Sequence, residues 1–212
     1  IKTLKKNGVA KVTMIGKVTK EILFKGLKFP DWRAIKLLAK LRNRKDDTIM
    51  LAIVEELAKD GLEVVDQTLY LKPLMPACGV LSRRKPTADE EDDIRFGFVT
   101  AKAMGGMDIG QTVVVKNKAV MAVEAIEGTD ACIRRGGALG REKSVVVKVA
   151  KPNQDPRFDV PAVGKQTILS MIESQCNVLA IEAGRTLFVE QDEVLDLANR
   201  HNICICAVDK NF

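Results

Sequence analysis

The sequence predicts an α/β protein of two lobes, residues 1–75 and 76–212. The first is a partial Rossmann-like parallel sheet and the second a mixed α/β sheet. Three observations predict this. Short β-rich apolar runs alternate with helical stripes, the pattern of strand–helix–strand units. The 212 residues suffice for one large domain or two small ones. Between the lobes, residues 72–86 gather Pro73, Pro76, Gly79 and Pro86, the composition of a linker.

The elements follow in order. Residues 2–7 read as the end of a helix with Gly8 as its C-cap, and residues 9–15 as a strand that Gly16 breaks. Asp31 can cap a helix carrying the stripe Ala34, Ile35, Leu37, Leu38 and Leu41. Asp46 or Asp47 can cap the next, through Ile49, Met50, Ile53, Val54 and Leu57, which stops at Gly61 before a strand at 62–65. Thr87 and Glu90 form a capping box opening a helix to about Met104, with acidic residues suited to its positive end. Residues 112–115 and 119–126 read as a hairpin turning at Asn117-Lys118. Helices near 130–139, 166–174 and 192–200 then alternate with strands at 145–150, 178–182, 186–189 and 203–208. The chain begins at Ile1 inside a helical pattern without an initiator Met, so an N-terminal element is expected to be missing.

Composition narrows the function. Hydrophobic residues make up 46% and charged ones 29%, enough for a substantial core. One Trp and one Tyr leave no stacking platform for single-stranded nucleic acid, and no aromatic-basic motif supports a nucleic-acid partner. The net charge of +6 is concentrated in the first 45 residues, including Lys17, Lys20, Lys25, Lys28, Lys40, Arg42, Arg44 and Lys45. Such a region is either a solvated basic surface or one facing phosphates or anionic lipid. Five cysteines form no Cys-x-x-Cys pair, and four lie in apolar segments, as expected of small core residues in a reducing compartment. A single histidine, His201, leaves little for a zinc site or a His-based triad. No apolar run reaches the ~18 residues that suggest a membrane span.

Three acidic turns lie between residues 107 and 164, each beside an apolar run. Carboxylates crowded at strand ends repel one another unless a cation sits among them, which points to a hard divalent metal, Mg²⁺ first. In the turn 127–130, Thr129 can cap the following helix, whose first N–H groups suit an anion. Glu127 and Asp130 can ligate a metal, or be cap residues and nothing more. Arg134 and Arg135 can reach phosphate oxygens, although neighbours on a helix do not face the same way. The loop 154–164 carries Asp155, Arg157 and Asp159 among Pro152, Pro156 and Pro161. Its stiffness suits the positioning of a site, or an Arg-Asp pair tying down a surface loop. Lys148 and Lys151 precede it with positive charge for a phosphate, and Gln111, after Asp108, can bond a base or sugar or simply form a turn.

Together, Asp108-Ile-Gly-Gln111, Val123-Glu-Ala-Ile-Glu-Gly-Thr-Asp130, Ile133-Arg-Arg135, Val147-Lys-Val-Ala-Lys-Pro152 and the 154–161 loop resemble one family. It is the UDP-2,3-diacylglucosamine pyrophosphatases of lipid A biosynthesis, the form unrelated to metallophosphoesterases. Gly16-Lys17-Val18, Asp46-Asp47 and the stretch 79–87 look like the family's first lobe and linker. On that resemblance, the family's glycine-rich opening strand and helix are expected to be the missing N-terminal element. The resemblance implies a cytoplasmic, two-lobed hydrolase that holds its ligand between the lobes. With a divalent cation, it would split UDP-2,3-diacylglucosamine into UMP and 2,3-diacylglucosamine 1-phosphate. On that chemistry Asp159 is the expected essential carboxylate, as metal ligand or base, and Arg157 its partner in catalysis. Asp130 and Glu127 are the further metal candidates; Arg134, Lys148, Lys151, Gln111 and Thr129 the substrate and phosphate contacts. The basic first lobe can rest on the inner membrane surface. Rival readings are a hydrolase of another nucleotide-sugar pyrophosphate, and a nucleotide-sugar or lipid-binding protein without turnover.

Overall fold

Apolar alternation and helical stripes produce the α/β architecture expected of them. The computed structural model describes residues 1–16, 31–39, 41 and 46–212. Outside those described residues lie Lys17, Val18, Lys20, Lys25, Lys28, Lys40, Arg42, Arg44 and Lys45, together with the side chains of Asp46 and Asp47. The chain divides into two compact units. Unit 1 comprises Ile1–Tyr70 and Asp155–Asp159; unit 2 comprises Leu71–Gln154 and Val160–Phe212.

Unit 1 contains α1 (Lys2–Lys6), β1 (Lys11–Val12), α2 (Trp32–Ala39), α3 (Asp46–Ala58) and β2 (Glu63–Val64). β1 and β2 pair in parallel, Lys11 with Glu63 and Val12 with Val64. Asp31 caps as expected, accepting the Ala34 N–H at 2.8 Å. Arg33 ties α2 to the end of α3 through Glu56 and, at 2.5 Å, Asp60. The Gln67 N–H donates to the Pro156 carbonyl at 3.1 Å, which pins the segment Asp155–Asp159 to this unit.

Unit 2 begins with a 3-10 turn at Lys72–Leu74, then β3 (Gly79–Val80), α4 (Ala88–Gly106), β4 (Thr112–Lys116) and β5 (Ala119–Val123). It continues with α5 (Thr129–Gly140), β6 (Ser144–Lys148), β7 (Ala162–Val163), α6 (Lys165–Glu173), β8 (Cys176–Glu182), β9 (Leu187–Phe188), α7 (Gln191–Arg200) and β10 (Cys204–Val208). Six strands form one mixed sheet in the order β3-β10-β8-β6-β4-β5; β7 and β9 pair separately in parallel. β10, β8 and β6 are parallel neighbours, whereas β4, β5 and β3 run antiparallel to theirs. Part of the expected linker is therefore sheet. Gly79–Val80 pairs with β10, and Leu81 N–H donates to Ile205 O at 2.8 Å. The pairing depends on a partner strand far along the chain, which local Pro/Gly composition does not reveal.

Alternation along the strands builds a core on each face. Val113, Val115, Val145, Val147 and Ala180 pack under Ile94, Phe98 and Ala101 of α4. Val114, Val146, Leu179, Ile181 and Ile205 face Cys132 and Ile133 of α5, Met171 of α6 and Val194 of α7. Each Val, Leu, Ile, Phe or Met among them contributes about 1.5–3 kcal/mol on burial. The Thr87 capping box opens α4: Thr87 Oγ1 accepts from Glu90 N–H and Glu90 Oε2 from Thr87 N–H. The β4–β5 turn has positive φ at both Asn117 (51°) and Lys118 (55°), the tight hairpin geometry expected there. The buried Asp93 carboxylate accepts both of their N–H groups, at 2.9 and 2.6 Å. Cys132, Cys176, Cys204 and Cys206 are buried and unbridged, and only Cys78 of the five is exposed.

Candidate functional site

The carboxyl ends of the parallel strands in unit 2 meet the start of β4 and the end of β5 along one edge. Strand register sets the row: Ala207 opposes Ile181, Ile181 opposes Lys148, and Lys148 opposes Thr112, whose carbonyl accepts the Glu124 N–H at 2.8 Å. Period-2 alternation turns Lys148 away from the α4 face, which Val147 occupies, toward α5. Its ammonium donates to Thr129 Oγ1 at 3.1 Å and to the Ala162 carbonyl at 2.8 Å. Thr129 in turn donates to Glu124 Oε1 at 2.9 Å. A buried lysine, a hydroxyl and a buried carboxylate thus form a chain at the mouth of α5.

That chain corrects the expected role of Thr129. Gly128, at φ 84°, is the N-cap of α5, and no side chain caps the helix. Thr129 is the first helical residue and gives its hydroxyl to the strand ends, so its side chain does not act as the cap. The opening turn of α5 therefore presents backbone donors and a positive dipole end beside Lys148, a combination suited to phosphate oxygens. Asp130 lies in this same first turn.

On the other face, Glu182 ends β8 and holds the chain leaving β6. Its carboxylate accepts the Ala150 N–H at 2.7 Å and bonds both oxygens to Lys102 Nζ at 3.0 Å.

The remaining predicted residues are placed as follows. Glu127 accepts from Arg135, at 2.5 Å, and from the Ala125 N–H; Arg135 holds its carboxyl below the usual range. Arg134 pairs with Glu173 of α6 at 2.6 Å. Lys151 pairs with Asp108 at 2.8 Å, and Gln111 accepts from the Gln154 amide at 3.4 Å. In unit 1, Arg157 binds Asp155 through Nε and Nη2, at 3.0 and 2.7 Å, and the Asp159 N–H donates to the Asp155 carbonyl. Among the described residues no group of three or more His, Cys, Asp or Glu side chains is placed to hold a metal ion. Among those residues, too, no helix is long and apolar enough to cross a membrane.

Residues 1–74 match the LpxI N-terminal domain and residues 77–206 the LpxI C-terminal domain. The chain belongs to the LpxI family. A Caulobacter vibrioides protein named UDP-2,3-diacylglucosamine pyrophosphatase LpxI is 31% identical over 219 residues. The match covers 98% of this chain and 78% of that protein.

In this LpxI-family chain, sequence reasoning selected Thr129 and Lys148, which the fold brings together, but not Glu124, Glu182 or Lys102. Glu124 had a readable signal. It stands two residues after Ala122, on the side of the strand that faces the core, where an unpartnered carboxylate would be costly. Glu182 had a similar one, a charge ending an apolar run.

Proposed function

We propose that this chain hydrolyses the pyrophosphate of UDP-2,3-diacylglucosamine to UMP and 2,3-diacylglucosamine 1-phosphate, in the cytoplasm, as a step of lipid A biosynthesis. The observation that carries the reading is the match, along 98% of the chain, to a relative named for that pyrophosphatase. The sheet end of unit 2 supplies chemistry that fits. A pyrophosphate needs charge neutralisation and positioned donors, and Lys148 with the opening turn of α5 offers both. Glu124 and Ala162 orient the Thr129–Lys148 pair and keep it from swinging away.

Hydrolysis also needs a carboxylate to orient or deprotonate water, the role we give Asp159. Arg157 keeps its Nη1 edge for a phosphate oxygen while its other edge grips Asp155. A divalent cation, Mg²⁺ by its preference for oxygen, commonly takes one or two carboxylates and completes its shell with substrate phosphates and water. That habit does not require the group of three carboxylates that is absent among the described residues; Asp159 is the first donor we assign, with Asp130 and Glu127 as the further metal candidates.

The test is UMP release from UDP-2,3-diacylglucosamine in detergent micelles, followed by chromatography. Release is expected with a divalent cation and not after chelation. It should be lost in Asp159→Asn and reduced about 10²–10³-fold in Lys148→Met, the scale for losing one positioned donor. Wild-type protein that releases no UMP, or that cleaves UDP-N-acetylglucosamine as readily, overturns the assignment.

A further inference from the structure

Two loops at the same sheet end carry apolar side chains that the hydrolase reading leaves unused. Ile126, in the turn before α5, is 87% exposed, the most exposed large apolar side chain among the described residues. Met107 and Ile109, in the loop leaving α4, are 66% and 46% exposed. Backbone packing holds the loops side by side. Gly110 lies so close to Glu124 that an added Cβ would meet the Glu124 carbonyl oxygen at 2.2 Å. Asp108, at φ 58°, sits between the two apolar residues of the first loop with its carboxylate drawn to Lys151.

Single exposed apolar residues, such as Val99 and Leu139 on helix surfaces, are ordinary. Three on two adjoining loops, each a few residues from Gln111, Glu124 or Thr129, form a patch of the kind that marks an interaction surface. The patch is continuous with the site proposed for a substrate that carries two acyl chains. We infer that Met107, Ile109 and Ile126 form a lip that inserts into a phospholipid bilayer and holds this sheet end against the surface where the lipid substrate resides. The inference rests on the proposed lipid substrate for its choice of occupant.

Charge decides the character of the contact. The cations flanking the lip are already paired, Arg135 with Glu127 and Lys151 with Asp108. Attraction to anionic headgroups is therefore partly cancelled at this spot, and apolar burial dominates. This differs from a contact through the basic first lobe, which would weaken steeply with salt.

The experiment is co-sedimentation of the whole protein with vesicles of phosphatidylethanolamine containing a minority of phosphatidylglycerol, at low and high salt. Wild-type protein is expected to partition onto them with little salt dependence. Each of Met107→Ser, Ile109→Ser and Ile126→Ser should lower the partition by about tenfold if its side chain is fully buried in lipid. Ile126→Trp should retain binding, since indole rings favour the membrane interface. All the variants are expected to melt as the wild type, because the side chains are exposed. Wild-type protein that stays in the supernatant overturns the inference, as does a triple Ser variant that binds like wild type. So does a wild-type dimer that the triple variant dissolves, which would make the lip a contact between copies. The two readings separate experimentally: a protein that binds vesicles yet releases no UMP from micelles loses the hydrolase reading and keeps the lip.

Discussion

Asp155 and Arg157 grip each other two residues apart, with Asp155 Oδ1 also accepting the Arg157 N–H at 3.0 Å. The guanidinium hydrogen bonds are the main reason the Asp155 carboxyl sits below its ordinary value of 3.8, and they outweigh the opposing effect of burial. A depressed carboxyl stabilises the folded state fully above its unfolded value. It loses that contribution only as pH falls through the lower folded value. The turn beside Asp159 should therefore be indifferent to pH across the neutral range and should open only in acid, below about 3.8. A carbon-13 titration of the Asp155 carboxyl is expected to show a midpoint below 3.8, returning toward that value in Arg157→Ala. A wild-type midpoint at or above the ordinary value would remove the pair as the clamp of this turn. The same clamp limits Arg157 as a phosphate ligand, since only the edge turned away from Asp155 can serve.

Helix α4 lies close on the sheet because Gly97 has no side chain. A Cβ there would stand 2.6 Å from Val147 Cγ2 and 3.3 Å from Val115 Cγ2, both fully buried. Helix propensity favours Ala over Gly by about 1 kcal/mol, while overpacking a filled core costs about 1–3 kcal/mol. At 2.6 Å the clash should win, and Gly97→Ala is expected to lower the urea midpoint without changing the m-value. Gly106→Ala is the control. Its nearest neighbour would be Pro152 at 3.9 Å, so propensity acts alone and the midpoint should rise. Equal shifts in the two variants would remove close packing as the cause. Much of this layering was legible in advance, because β4, β6 and β10 are apolar on both faces and the hairpin turn and Thr87 capping box are local signals. The Gly79–Val80 and Ala162–Val163 strands were not, since each is two residues long and exists only through a distant partner. At the site the division is the same. Thr129 and Lys148 stand out by position at a helix start and a strand end, whereas alternation signals that Glu124 is buried but not that its partner is Thr129, which only the fold brings to it.

Across the whole molecule, the segment Asp155–Asp159 is inserted in the sequence of unit 2 but groups structurally with unit 1. The units differ in the core available to hold them. Unit 2 buries apolar side chains on both faces of a six-stranded sheet. Among the described residues of unit 1, the buried apolar side chains are Ile49, Val54, Leu62 and Val64, and of these only Leu62 is fully buried. Local opening free energies follow buried apolar contact, so unit 1 should open at lower cost than the β6–β8–β10 ladder. The Asp159 and Gln67 N–H groups, bonded within unit 1, should then exchange with solvent together and with the amides of β2. Val147 and Ile181, in the central ladder, should exchange far more slowly. Native-state hydrogen exchange resolved by residue tests this directly. If Asp159 instead exchanges with the slow set around Val147, the segment is held by the unit 2 core and the grouping is wrong. If it follows Gln67, the carboxylate proposed for catalysis is carried by the less protected unit, whereas Lys148, proposed for phosphate, belongs to the more protected one. Mild destabilisation should then abolish turnover while the sheet remains folded.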